Sequence, residues 1–128
     1  MTHVVRSSDA LRLDLPGRTS YEIVSAARND ATVTLRKVEI PPAQSHVLRS
    51  QHRHTRFEEC IYVLSGRGMT TTADGEVEVG AGDTILVPRE EFHATRNIGT
   101  EPLVLLCFFP VGDMRVGTEE AAGARPAA

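Results

Sequence analysis

The chain has 128 residues, 41% of them hydrophobic and 24% charged, with a formal net charge of −3. That length holds one domain with a real core, and the balance is that of a globular protein, not a disordered or membrane one. Basic residues are spread along the chain, which argues against a nucleic-acid partner. The longest apolar run, LVLLCFF at Leu103–Phe109, is strand-sized and well short of the roughly 20 residues a membrane-spanning helix needs.

The amino-terminal MTHVVRSSDALRLDLPG scatters charges and lacks the apolar stretch of a signal peptide, so a cytoplasmic protein is expected. Within it, Ser7 to Leu13 has room for one helical turn. Two β-rich runs follow, Tyr21 to Ala27 and Ala31 to Ile40, with Arg28-Asn29-Asp30 between them as a hairpin turn. Pro41 and Pro42 interrupt the pattern. Further short runs then recur: SHVLRS, ECIYVLSG, GMTTTA, EVEVG, DTILVP, HATRN and LVLLCFF. Between GMTTTA and EVEVG sits Asp74-Gly75, suited to a tight hairpin because glycine accepts positive φ at little steric cost. Many short strands at regular spacing predict an all-β sandwich or barrel. One domain is expected over residues 1–116, with 117–128, small and without periodicity, as a flexible tail. Cys60 and Cys107 fall inside apolar runs and are expected to be buried, reduced thiols.

The chemistry concentrates in QHRHTRFEEC, Gln51 to Cys60. An extended strand points His52 and His54 to the same face, where two imidazoles can share one metal ion. Taken alone, the pair reads more readily as exposed loop histidines. Downstream, GDTILVPREEFHATRN supplies a third histidine, His93, after a turn glycine, a strand and a proline.

Together these residues resemble the cupin superfamily. Its first motif is glycine, five residues, His-x-His, three or four residues, Glu, six residues, glycine; here His52, His54, Glu59 and Gly66 match, and His46 stands at the leading glycine. Its second motif is glycine, five residues, Pro-x-Gly, two residues, His, three residues, Asn; here Gly82, Pro88, His93 and Asn97 match, and Glu90 stands at the inner glycine. The resemblance implies a double-stranded β-helix, or jelly-roll barrel, commonly a homodimer. It also implies a mononuclear site on His52, His54, Glu59 and His93. Glu59 fits both spacings, whereas Glu58 misses Gly66 by one residue and points to the opposite strand face, toward solvent or Arg56.

Three imidazoles and a carboxylate suit one divalent transition ion (Fe, Mn, Ni, Co, Cu or Zn) better than Ca or Mg, which prefer all-oxygen shells. Six-coordination leaves two positions open. Glu59 is a candidate base once off the metal. His46 shares its face parity with His52 and is a candidate base, a fifth ligand or a half-exposed strand residue; Gln44 and Gln51 are weaker polar candidates. Arg36, Arg49, Arg67, Arg89 and Arg96 are candidates for holding an anionic substrate, although such a residue is more often just a surface charge. Tyr62 and Leu64 lie opposite the Glu59 face and would pack between sheets or against a partner subunit. Phe57, Phe92, Phe108 and Phe109 default to core packing, and Asn97 to a structural turn.

Three functions follow for a small organic substrate. The first is dioxygenase-type oxidation of an enol, diketone, thiol or phenol. The second is redox-neutral isomerase, cyclase (as in aromatic polyketide pathways) or lyase chemistry. The third is ligand binding without catalysis.

Overall fold

In the computed structural model, which describes residues 1–42 and 50–121, strands account for nearly all regular structure. They are β1 (Leu11–Leu15), β2 (Arg18–Val24), β3 (Thr34–Ile40), β4 (His52–His54), β5 (Glu59–Ser65) and β6 (Arg67–Thr72). β7 (Gly75–Gly80), β8 (Thr84–Val87), β9 (Ala94–Asn97), β10 (Leu103–Phe109) and β11 (Thr118–Glu120) follow. A six-stranded sheet runs β1-β2-β3-β10-β5-β8, a three-stranded sheet runs β7-β6-β9, and β11 pairs with β4. Every pairing is antiparallel. This is the jelly-roll barrel that the motifs imply.

Period-two alternation sets which residues face inward. Along β5, Glu59, Ile61 and Val63 are buried while Cys60, Tyr62 and Leu64 are exposed. β10 answers with Leu103, Leu105, Cys107 and Phe109 inward, and the register sets Cys107 against Ile61 and Leu105 against Val63. Ile40, Phe57, Val79 and Val87 complete the core. Each such side chain contributes about 1.5–3 kcal/mol on burial. A one-residue slip of β5 would turn Glu59 out to solvent, so the packing that stabilises the barrel also aims the carboxylate.

Gly66 explains one motif position. It has φ +90°, and a Cβ there would lie 2.6 Å from the Pro102 carbonyl oxygen and 2.8 Å from Leu103 Cα. The Asp74-Gly75 hairpin forms as expected, closing the β6–β7 pair at Thr72 opposite Gly75.

Four expectations need correction. Arg28-Asn29-Asp30 is not a simple hairpin turn: Ala26–Asn29 forms one turn of α-helix, α1. Ser25 caps it, its hydroxyl accepting from the Arg28 amide at 3.3 Å, and Asp30 ends it in the left-handed region at φ 54°. The helical turn allowed near Ser7 shrinks to a 3₁₀ turn at Ser7–Asp9, because Leu11–Leu15 pairs with β2 instead. Cys60 is exposed, since it lies on the outer face of β5, whereas Cys107 is buried; neither forms a disulfide. The expected tail from Gly117 begins too early, because Thr118, Glu119 and Glu120 pair with His54, Arg53 and His52.

Candidate metal centre

Two backbone hydrogen bonds join the ligand-bearing segments. The His52 amide donates to the His93 carbonyl at 3.0 Å, and the His93 amide donates back at 2.9 Å. This exchange sets two imidazoles side by side, with ring centroids 4.4 Å apart and planes tilted by 55°. His54 lies one pleat further along β4, and Glu59 enters from β5. One donor atom from each of His52, His54, Glu59 and His93 lies within 4.8 Å of the others. His54, Glu59 and His93 are buried and His52 is partly open. The sequence-predicted quartet is therefore brought together.

The other ring nitrogens are committed. The Thr118 hydroxyl donates to the Met114 carbonyl at 2.5 Å, so its oxygen must accept from His54 Nδ1 at 2.9 Å. His93 Nδ1 donates to the Glu91 carbonyl at 3.1 Å. In the neutral rings, both Nε2 atoms then carry a lone pair. Both point at the same carboxylate oxygen, Glu59 Oε1, each at 3.1 Å. Three lone pairs converging in a buried site repel unless a cation sits among them or both rings gain a proton. A divalent cation meets that requirement, so the donor set fits a metal. Without one, burial pushes the Glu59 carboxyl up, but hydrogen bonds from His54 and His93 and their charges outweigh it and hold it down at about 2.

Packing fixes the ligands further. The His54 ring stacks on Phe57 with centroids 5.1 Å apart and meets Phe109 edge-on at 5.3 Å. Arg53, which points away from the site, lies 4.7 Å over the Phe92 ring and pairs with Glu119 at 2.8 Å. Glu90, at the inner glycine position of the second motif, adopts φ 73° and donates its amide to the His54 carbonyl at 2.7 Å. The glycine conformation is kept without the glycine.

His52, Glu59 and His93 open onto a cavity of about 580 Å³, a volume that includes the solvent at its mouth. Its apolar walls include Val38, Ile61, Leu105 and Phe109; its polar wall includes Arg18, Ser20, Arg36 and Thr95. Arg36 belongs here as proposed, but Glu22 holds it through Nε at 3.3 Å and Nη2 at 2.8 Å. The other arginines separate. Arg67 pairs with Glu78 and Arg96 with Glu76 at the surface, and Arg89 borders a shallow groove with Glu58, Pro88 and Glu90. Glu58 is exposed and outside the cluster. Gln51 is half-buried and accepts the Ala121 amide on its carbonyl. His46, Gln44 and Arg49 lie outside the described residues. Asn97 is buried and structural: its Nδ2 donates to the Ile40 and Glu101 carbonyls, and its Oδ1 accepts from the Gly99 amide.

Sequence reasoning missed Thr118, Arg18 and Ser20. Thr118 offers no local signal, since its partner is 64 residues away. Arg18, Ser20 and Glu22 do carry one: three polar residues on alternate positions of a strand whose neighbours place apolar side chains on the same face.

Residues 36–109 match the family profile described as Cupin domain. An uncharacterized protein of Methanocaldococcus jannaschii is 45% identical over 56 residues, which are 44% of this chain and 45% of that protein. Among solved structures, Lactobacillus farciminis oxalate decarboxylase in complex with formate superposes with a TM-score of 0.74 at 22% identity, over 88% of this chain and 34% of that one. A Bacillus subtilis oxalate decarboxylase variant gives 0.72 at 25% identity, over 86% and 29%. A Streptomyces PAC13 variant with uridine gives 0.73 at 16% identity, over 94% and 91%. The chain thus spans about a third of the oxalate decarboxylases and under half of the archaeal protein. Among the described residues, no helix is long and apolar enough to cross a membrane.

Proposed function

The chain belongs to the cupin family, and from that premise we propose that it is a mononuclear metal-dependent enzyme acting on a small organic substrate. His52, His54, Glu59 and His93 hold one divalent transition ion, drawn from Fe, Mn, Ni, Co, Cu and Zn. The observation that carries this reading is the convergence of the His54 and His93 Nε2 lone pairs on one buried Glu59 oxygen, with both Nδ1 atoms already committed. When bound, the ion supplies Lewis acidity and, if redox-active, electron transfer toward substrate and dioxygen.

The chain's own residues do the rest. Thr118 and the Glu91 carbonyl keep protons on the outer ring nitrogens. Val38, Ile61, Leu105 and Phe109 keep bulk water from the cavity wall. The Glu59 carboxylate faces the cavity and, once off the metal, is the base that takes a proton from a substrate C–H or O–H.

The reaction we favour is dioxygenase-type oxidation of an enol, diketone, thiol or phenol. A redox-neutral lyase or isomerase is the second reading. The likeness at 25% identity to an oxalate decarboxylase favours it. So does a buried carboxylate base at the cavity. Elemental analysis of protein purified without chelator tests the premise. One iron, manganese, cobalt, nickel or copper per chain, with oxygen uptake on substrate addition, supports oxidation. Metal occupancy with turnover that consumes no oxygen supports the second reading. No metal, even after reconstitution, removes both.

The protein is further proposed to be a cytoplasmic homodimer. Tyr62, Leu64, Leu86 and Phe108 expose apolar surface on the outer face of β5, β8 and β10, which a second copy would cover. Cys60 and Cys107 form no disulfide with each other, which suits a reducing compartment. Sedimentation at micromolar concentration tests the dimer, with a monomer as the adverse result.

A further inference from the structure

We propose that Arg18 and Ser20, at the β2 end of the cavity, form an anion subsite that takes the carboxylate of an elongated substrate whose other end reacts at the metal cluster. This deepens the metal-dependent reading and rests on it.

Three observations meet here. Ser20 is 1% exposed, lines the cavity, and its Oγ has no hydrogen-bond partner among the described residues. A buried hydroxyl without a partner is costly, so a ligand group that bonds it is favoured. Arg18 lies two residues away on the same strand face and lines the same cavity. Among the described residues, its guanidinium has one hydrogen bond, from Nη1 to the Pro16 carbonyl at 2.9 Å, and no carboxylate at ion-pair distance. Burial pushes its pKa down; exposed Glu120 opposes this from longer range, and the like charge of Arg36 adds to it.

The charge balance agrees. Arg36 is neutralised by Glu22, which Ser25 Oγ also bonds at 3.0 Å. Among the described residues, Arg18 is therefore the cavity cation left without an ion-paired acid. A guanidinium fork beside one hydroxyl matches the two oxygens of a carboxylate.

Position decides the ligand's length. β3 and β10 lie between β2 and β5, so three strand spacings, about 14 Å along the sheet, separate Ser20's strand from that of Glu59. Barrel curvature and inward-pointing side chains shorten the direct path, yet the strand separation favours a molecule longer than two adjacent carboxyls. The class indicated is a carboxylate carried several bonds from an enol, phenol or similar reacting group.

Calorimetric titration of the metal-loaded protein with 4-hydroxycinnamate, its methyl ester and oxalate tests this, with metal content measured on each sample. The acid should bind at least about tenfold more tightly than the ester. Arg18→Gln should abolish that preference, and Ser20→Ala should reduce it several-fold. Both variants should keep wild-type metal content, and oxalate affinity should not change. Equal affinities for acid and ester, no measurable binding of the acid, or a preference that survives Arg18→Gln would overturn the subsite. A protein that takes no metal yet still prefers the acid would retain the subsite and sink the metal reading instead.

Discussion

Thr118 Oγ1 lies 2.9 Å from His54 Nδ1 and, having given its own proton to Met114, can only accept there. One hydroxyl from the last described strand thus decides which nitrogen of a candidate ligand faces the cluster. Outer partners of this kind are worth about 10- to 100-fold in metal affinity. Thr118→Val should weaken metal binding by about that factor, and Thr118→Ser should restore most of it. Competition against a chromogenic chelator measures both.

Glu58 and Glu59 make a paired comparison. Glu59 is buried and touches two histidines, whereas Glu58 is exposed. Glu59→Gln should lose most bound metal, and Glu58→Gln should hold wild-type content by elemental analysis. Parallel losses in the two variants would show that the wrong glutamate had been chosen.

Acid stability of the metal-free protein has a definite sign. The folded Glu59 carboxyl is held at about 2 against an ordinary 4.5, so the unfolded chain binds its proton more readily. With both imidazoles protonated, its contribution is in place just above about 4.5 and is lost as pH falls toward about 2. The urea midpoint should drop between about pH 5 and about pH 2.5, and Glu59→Gln should flatten the drop over that interval.

Glu90 carries a φ of 73° that costs a side-chain-bearing residue roughly 1–2 kcal/mol. Glu90→Gly should therefore raise stability by up to about 1 kcal/mol, part of the relief being offset by the extra freedom of glycine when unfolded. Gly66→Ala goes the other way: its Cβ would meet the backbone of Pro102 and Leu103. Thermal melts of the two variants should bracket the wild type.

The barrel and the quartet were legible because both follow from local rules. Alternation along ECIYVLS sends Glu59 inward with Ile61 and Val63, and motif spacing selects Glu59 over Glu58. The rest depended on contacts between distant segments. Thr118 looked like part of a loose tail until its pairing with His54 was seen. Arg36 looked like a free cation until Glu22, on the neighbouring strand, was seen to hold it, which leaves Arg18 exposed to the cavity. β2 and β3 pair as the expected hairpin, but Ser25 caps a helical turn in their connection, because Ser-Ala-Ala satisfies helix-start rules as readily as strand rules.

The partnership between β4 and β11 also bears on the protein's birth at the ribosome. All four candidate ligands lie by residue 93, yet the hydroxyl that orients His54 arrives only with residue 118. A nascent chain therefore holds the candidate ligands before it can fix the His54 tautomer. Until that strand pairs, His54 lacks its hydroxyl partner, so the last described strand completes the orientation of this ring.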